Sequence, residues 1–280
     1  MSKPRFALFL RNIGHIRFES TKGDVIEIQK SINGNTVRLS SNEITEDWII
    51  KDYTIRIPEE TQEALQNEKL VPKKLKEATK TKITFAAKIV EGKVVPVQDA
   101  VLFTYLPTKV NDFGFKFLVN ADFLTIASRE SIHFKNTWNR FLFGQIGALL
   151  VDWVKSLADY DGALCLLPKE KYDGDNLLTL DFYNSFQKSA SELDFIKGQN
   201  GNLITQDRIM IDKSGLSKII GKDLFCSIID PNKHLPYFDS DEDALKESKL
   251  YDSVYSVTTL TVLNAIYNNA SFLNWFKDAS

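Results

Sequence analysis

Three acidic residues near the C-terminal end have a spacing that could bind calcium. Asp239, Asp241 and Asp243 occupy alternate positions, as the first ligands of a calcium-binding loop do. Such a loop also needs a glycine at its sixth position and a glutamate at its twelfth, where this chain has Ala244 and Leu250. We therefore expect no calcium site here, and the three aspartates predict a solvated acidic turn.

Histidine and cysteine chemistry is not indicated either. His15, His133 and His234 lie far apart, and the zinc motif H-E-x-x-H does not occur. Cys165 and Cys226 lie in apolar runs, which predicts small buried thiols in a reducing compartment. The serine-hydrolase motif G-x-S-x-G and the phosphate-binding motif G-x-x-x-x-G-K-[ST] are also missing from the sequence. We therefore expect that this chain by itself is not an enzyme and holds no metal.

A cluster of lysines lies between two β-rich segments, at Lys73, Lys74, Lys76, Lys80 and Lys82. Lysines in such a run could contact the phosphates of a nucleic acid. Nucleic-acid platforms usually add aromatic or arginine side chains, and none is interleaved here. The pattern therefore favours a solvated face on an exposed helical excursion, and nucleic-acid binding through this arm stays an alternative.

The overall composition is that of a folded protein without a strong charge. The chain has 280 residues, 43% of them hydrophobic and 26% charged, with a formal net charge of −2. Such a chain can bury a core, and its charge gives no general attraction to nucleic acid or anionic lipid. No secretory signal is evident, and the longest apolar stretch, residues 141–154, is too short to span a bilayer. We expect a cytoplasmic protein that does not contact a membrane.

The elements that would position any site are strands followed by helices. Short β-rich segments in residues 6–58 and 83–119 predict strands, with a hairpin turn at residues 33–35. Apolar residues recur at helical spacing through residues 138–157, and Asn136 or Thr137 can cap that helix. A turn at residues 159–162 predicts a boundary, with an α/β domain before it and a smaller helix-rich region after it. The predicted domains are residues 1–158 and 159–280, and the first should contain a mixed sheet covered by helices.

One progression of motifs carries more information than the composition. It consists of the segments V-L-F-T-Y-L-P-T-K, F-K-F-L-V-N-A-D-F, S-R-E and N-T-W-N, at residues 101–109, 115–123, 128–130 and 136–139. This progression resembles the region that follows the ATP-binding domain in sacsin-like and No Vein-like GHKL ATPases. The resemblance implies the α/β fold of a GHKL second domain, which is also called the middle or transducer domain.

The same resemblance implies that ATP and magnesium bind to a different domain. Residues 63–67 match the E-x-x-x-N pattern of GHKL ATPases, but no D-x-G-x-G follows, so we discard this short match. The implied partner is a GHKL ATP-binding domain, on the same polypeptide or on another. We expect no cofactor in this chain, and the chain would be one part of a chaperone-like ATPase.

Within the resemblance, Arg129 is the residue that would act. The triplet of Ser128, Arg129 and Glu130 is similar to the S-R-E that begins a helix in the middle domain of the ninety-kilodalton heat-shock chaperone. In that family the arginine reaches the terminal phosphate of ATP, which implies the same outward-facing position and role for Arg129. A planar, permanently charged guanidinium suits this role, because it stabilises charge spread over phosphoryl oxygens. The chaperone has a glutamine four residues later, where this chain has His133.

Simpler roles remain open for the same residues. Arg129 could pair with Asp122 or Glu130 near a helix start, and Asn120 and Asp122 could orient the loop or satisfy buried backbone groups. The leading hypothesis is a non-catalytic transducer that docks on an ATP-binding domain and presents Arg129. The supporting residues in this hypothesis are Asn120, Asp122, Ser128, Glu130 and His133. The alternatives are a protein-interaction module without a catalytic contribution, and the nucleic-acid module described above.

Overall fold

The computed structural model describes residues 4–21, 24–42, 44–111, 113–169, 176–267 and 269–279. The chain divides into two compact units. Unit 1 comprises residues 1–149 and 172–186, and unit 2 comprises residues 150–171 and 187–280. The divisions after residues 149 and 186 fall inside helices, since helices span Thr137–Ser156 and Leu177–Glu192. The domain boundary that the sequence places after residue 158 stays a prediction.

Unit 1 is built on one mixed sheet, which confirms the predicted α/β class. Its strands in the described residues are β1 His15–Glu19, β2 Val25–Asn33, β3 Thr36–Ser41, β4 Thr45–Arg56, β5 Lys80–Val90, β6 Lys93–Val95, β7 Leu102–Thr104, β8 Leu106–Pro107 and β9 Leu118–Asn120. They lie in the order β1-β2-β3-β4-β5-β9-β7-β8, and β6 pairs with the end of β5. Strands β7 and β9 are parallel, and the other described pairs are antiparallel.

The predicted hairpin between β2 and β3 is present. Asn33 pairs with Thr36, so the connection has two residues, Gly34 and Asn35. Gly34 has a φ of 58°, which a glycine adopts without steric cost. The turn chemistry read from the sequence therefore sets the register of the first strands.

Other parts of unit 1 pack against both faces of its sheet. One face carries Trp48 of β4 and Phe103 of β7, and the N-terminal segment from Pro4 to Phe9 packs on it. We call this side, which also carries Ile50 and Asp52, the N-terminal face. The opposite face carries Phe85, whose ring begins a chain of aromatic contacts through Phe117, Phe115 and Phe143.

The helices of the first part of the chain agree with the sequence pattern. They are α1 Glu59–Gln66, α2 Lys73–Lys76, α3 Thr137–Ser156 and α4 Leu177–Glu192. Asn136 caps α3, because its side-chain oxygen accepts from the backbone N–H groups of Trp138 (3.0 Å) and Asn139 (3.3 Å). Trp138 is fully buried, as the helical spacing predicts. Arg140 of α3 donates two hydrogen bonds to Asp181 of α4, which joins the two helices.

Unit 2 combines two small sheets with short helices. Strands β10 Ile196–Lys197 and β11 Leu203–Ile204 are antiparallel, and β12 Met210–Asp212 and β13 Tyr255–Val257 are parallel. Its helices are α5 Ser217–Ile220, α6 Lys222–Ile229, α7 Asp239–Glu247, α8 Thr259–Ile266 and α9 Ala270–Ala279. Phe225 and Val257 are fully buried in a core to which β12, β13, α6 and α8 contribute.

The predicted solvated acidic turn at residues 239–243 is wrong. These residues begin helix α7, and Asp241 is only 3% exposed. The backbone N–H of Leu164 donates to its carboxylate, whereas the side chain of Asp243 remains exposed. Alternating aspartates indicate a polar surface on average, but a helix places every third or fourth residue on one side. Asp241 therefore faces inward while its neighbours face outward.

Candidate functional site

The Ser128–Arg129–Glu130 triplet lies in a turn, so the helix start implied by the resemblance is wrong. Thr125 and Ile132 form an antiparallel bridge on either side of it. The N–H of Ile126 donates to the oxygen of Ser131 (3.0 Å), and the N–H of Arg129 donates to the oxygen of Ile126 (2.9 Å). Arg129 has a φ of 59°, a left-handed conformation that costs about 1–2 kcal/mol for a residue with a side chain. The fold therefore holds Arg129 in a strained position.

The guanidinium of Arg129 turns toward the β7–β8 hairpin of its own chain, so the outward-facing position implied by the resemblance is wrong. Its Nη2 atom donates to the backbone oxygens of Leu106 (2.8 Å) and Thr104 (3.3 Å) and to the hydroxyl of Thr104. The Nε atom is buried and has no hydrogen-bond partner among the described residues. A buried donor without an acceptor costs free energy, and the Nε–H group of Arg129 is such a donor.

The two ion pairs considered for Arg129 are not formed. Glu130 instead lies 2.5 Å from the Nζ atom of Lys109, and the hydrogen bond from Lys109 lowers the pKa of Glu130. Ser128 also donates to Glu130, and both residues are exposed. Lys109 and Glu130 therefore brace the outside of the turn, while Arg129 holds its inside against the hairpin.

Asn120 accepts a hydrogen bond from a backbone group, which is close to the structural role that the sequence left open. Its Oδ1 atom accepts a hydrogen bond of 2.7 Å from the N–H of Tyr105. Tyr105 has a φ of 65°, so this contact supports a second left-handed residue beside Arg129. Asn120 and Arg129 thus hold the same hairpin from two sides.

Replacing Asn120 by alanine should destabilise unit 1 by about 1–3 kcal/mol, because the N–H of Tyr105 loses its acceptor. Urea unfolding monitored by tryptophan fluorescence measures this change. In the second variant Tyr105→Gly, glycine accepts the left-handed conformation without strain. Because Tyr105→Gly also removes the side chain that bonds to Asp122, the cost of Asn120→Ala is measured both with and without Tyr105→Gly. The cost should be smaller in the Tyr105→Gly background, and an equal cost would show that the hydrogen bond does not support this backbone conformation.

Asp122 lies next to the same hairpin and is half-buried. Burial raises the pKa of its carboxyl group, and the opposing effects come from Lys74, Arg11 and a hydrogen bond from Tyr105. Its backbone oxygen accepts a bond of 2.7 Å from the Nε1 atom of the buried Trp138. Asp122 therefore connects the hairpin to helix α3.

His133 contributes to the site through its backbone. Its N–H donates to the oxygen of Leu124 (3.1 Å), and its oxygen accepts from the side chain of Asn139 (3.1 Å). The structure thus brings Asn120, Asp122 and Arg129 together around the β7–β8 hairpin. It places His133 in the segment before helix α3, where its backbone is hydrogen-bonded. We call the hairpin with its surrounding residues the hairpin site.

Sequence reasoning missed the partners of the hairpin site. The sequence predicts a single strand through Thr104, Tyr105 and Leu106. Thr104 and Leu106 are strand residues, but Tyr105 is the turn between β7 and β8, and Arg129 and Asn120 hold this hairpin. Tyr105 and Leu106 are 42% and 45% exposed, so the hairpin presents apolar surface to solvent. The only local signal was Pro107, which ends a strand and favours a turn nearby.

Comparison with known proteins finds a distant similarity to a very long plant protein. The chain is 24% identical over 161 residues to Protein NO VEIN of Arabidopsis thaliana. The match covers 55% of this chain. This chain is a distant relative of NO VEIN. The matched segment corresponds to 5% of the length of NO VEIN. No family model and no solved structure matches this chain.

The described residues contain no group of three His, Cys, Asp or Glu side chains that could hold a metal ion. Among them there is also no helix with the length and apolar character needed to cross a bilayer. Several lysines of the 73–82 segment have partners within the chain. Lys76 donates to the oxygen of Gln66 (2.8 Å), and Lys82 lies 2.5 Å from Asp52. This arm therefore offers fewer free cations than its sequence indicates.

Proposed function

We propose that this chain is a non-catalytic module that docks on a GHKL-type ATP-binding domain and responds to the bound nucleotide through Arg129. The observation that carries the proposal is the state of Arg129: a strained backbone and a buried Nε atom without an acceptor among the described residues. Strain of this kind concentrates at ligand clamps and switch regions. The distant relation to NO VEIN and the matching motif progression support the same role.

Arg129 would have to leave its present partners to contact a phosphate. Those partners are neutral oxygens of Thr104 and Leu106, and phosphate oxygens form stronger, charge-assisted bonds with a guanidinium. Docking would therefore exchange weak acceptors for strong ones, and it would release the β7–β8 hairpin at the same time. In this way binding of the terminal phosphate would change the conformation of the hairpin, and this change would reach the rest of unit 1.

The exposed Tyr105 and Leu106 favour a second candidate, a protein-interaction module in which Arg129 only holds the hairpin. Aromatic residues beside apolar ones are common at the centres of interfaces. In this version the hairpin docks, but no side chain of this chain reaches the nucleotide.

The variant Arg129→Gly separates the two candidates. Glycine accepts a φ of 59° without strain, so the turn should persist while the guanidinium is lost. We expect the wild-type chain to increase ATP turnover by its cognate ATP-binding domain, and Arg129→Gly to lower that turnover about tenfold or more. Turnover is measured by phosphate release, and docking by isothermal titration calorimetry.

The matched control is Arg38→Ala, which removes an exposed arginine paired with Asp47 elsewhere in unit 1. It should stimulate turnover as the wild-type chain does, and both variants should unfold cooperatively. Docking with full stimulation by Arg129→Gly would reject the phosphate contact. Docking of the wild-type chain without any change in turnover would support the second candidate. If the wild-type chain does not dock on the ATP-binding domain, both candidates fail.

A further inference from the structure

An open groove of about 780 Å³ crosses the N-terminal face of the sheet in unit 1. Its floor is formed by side chains from neighbouring strands of the order β2-β3-β4-β5-β9. The floor residues are Ile32, Val37, Ile50, Asp52, Lys82, Thr84 and Asn120. Neighbouring strands lie about 4.8 Å apart, so a floor across five strands is about 19 Å long.

One wall of the groove is the N-terminal segment, and it is fixed in place. Lys30 donates from its Nζ atom to the backbone oxygens of Leu8 (2.7 Å) and Leu10 (2.9 Å). The backbone N–H of Lys30 also donates to the oxygen of Gly14 (2.8 Å). Asn12 in this wall has a φ of 58°, a left-handed conformation that asparagine adopts more readily than other residues with side chains. The groove is therefore formed before any ligand arrives.

The charge of the groove is opposite to that of the whole chain. Among the described residues, the charged side chains that face it are the cations Arg11, Lys30 and Lys82 and one carboxylate, Asp52, which gives a net charge of +2. Lys51 contributes no charge here, because its side chain lies over the ring of Tyr53 on the opposite face of the sheet. The whole chain has a net charge of −2. A cleft lined by one sign of charge concentrates ligands of the opposite sign, so this lining favours an acidic ligand.

The two ends of the groove differ in polarity. At the β2 end, Ile32 is 66% exposed although it lies within a strand, and Ile13 of the wall is 39% exposed. At the β9 end, Asp52 bonds to Thr84 (2.6 Å) and to Lys82 (2.5 Å), and Asn120 lies beyond them. Because Lys82 is paired with Asp52, negative charge on a ligand is favoured toward Arg11, which lies over the ring of Tyr105 near Asn120. A ligand that fits both ends carries an apolar group at the β2 end and negative charge at the β9 end.

We propose that this groove binds an extended acidic peptide segment that places an apolar side chain on Ile32. A strand rises about 3.3 Å per residue, so about six residues span the floor. Binding of single-stranded nucleic acid needs exposed aromatic rings for stacking. Among the described lining residues the aromatic side chain is Phe9, which is buried, so a peptide fits this groove better than a nucleic acid. Arg129 does not line the groove, and this proposal is independent of the proposed nucleotide response.

The test uses fluorescein-labelled synthetic hexapeptides and fluorescence anisotropy with the complete chain. One peptide has two leucines followed by four glutamates, one has the reverse order, and a third has lysines in place of the glutamates. We expect one or both acidic peptides to bind, with an affinity that falls as salt is raised. The lysine peptide should not bind, because the groove repels it.

Two substitutions with matched controls connect binding to the groove. Ile32→Asp and Lys82→Gln should each weaken binding of the acidic peptide about tenfold. Val90→Asp and Lys80→Gln are the controls, since both residues are exposed on β5 and neither lines the groove. The controls should leave the affinity unchanged, and thermal unfolding should show that all four variants fold.

The proposal is overturned if neither acidic peptide binds, if the lysine peptide binds equally well, or if Ile32→Asp and Lys82→Gln both bind as the wild type does. It is also overturned if a uridine decamer binds more tightly than the acidic peptides, since the groove would then accept a nucleic acid.

Discussion

Replacing Gly147 by alanine is expected to destabilise the chain by about 2–4 kcal/mol. Gly147 lies in α3 where that helix meets the backbone of α4. An added Cβ atom would lie 2.1 Å from the carbonyl oxygen of Phe182 and 3.1 Å from the backbone nitrogen of Phe186. Neither backbone atom can turn away as a side chain could, so the two helices would have to separate. Phe182 would then lose its ring contact with Phe115.

Gly144 in the same helix provides a control with the opposite sign. A Cβ atom there would lie 3.5 Å from the Oγ atom of Ser185, which is ordinary contact. Gly144→Ala should therefore stabilise the chain by about 0.5–1 kcal/mol, the usual gain from replacing a helical glycine. Urea unfolding followed by circular dichroism measures both changes. Equal effects of the two substitutions would show that α4 does not pack against Gly147 as closely as its backbone indicates.

The sequence predicted the elements of unit 1 because their patterns are local. The hairpin turn at Gly34 and the helical spacing of α3 each depend on residues within a few positions of one another. The cap by Asn136 is of the same kind. The close approach at Gly147 depends on a helix about 35 residues further along the chain, so no local pattern specifies it. A pair of glycines three residues apart in a strongly apolar helix was the available hint.

The candidate sites were harder to predict, because their residues come from distant segments. The motif progression identified Arg129 and Asn120, but the partners of Arg129 lie more than twenty residues earlier in the chain. The bridge between Thr125 and Ile132 closes the turn and overrides the expected helix start. The groove takes residues from five strands and from the N-terminal segment, and only the folded sheet brings them together.

The stability of the wild-type chain is expected to fall as pH rises from about 4 to about 7, because of Asp241. Burial raises the pKa of this carboxyl group from 3.8 to about 7, and the nearby Asp161 adds to the effect. Between these values the folded chain keeps a proton that the unfolded chain has released, so raising the pH favours unfolding. Each unit of pKa difference corresponds to about 1.4 kcal/mol, so the total effect is on the order of 4 kcal/mol. Above pH 7 this contribution should remain constant.

Asp241→Asn should remove this pH dependence and stabilise the chain at pH 8. An asparagine keeps an oxygen that can accept from the N–H of Leu164, and it does not have to hold a charge in the interior. Asp243→Asn is the control, since Asp243 lies two residues away on the same helix and its side chain is 83% exposed. Urea unfolding at pH 5, 6, 7 and 8 compares the three proteins. If the free energy of unfolding has the same pH dependence in the wild type and in Asp241→Asn, the carboxyl group of Asp241 is not buried on the inner side of α7 as the structure indicates.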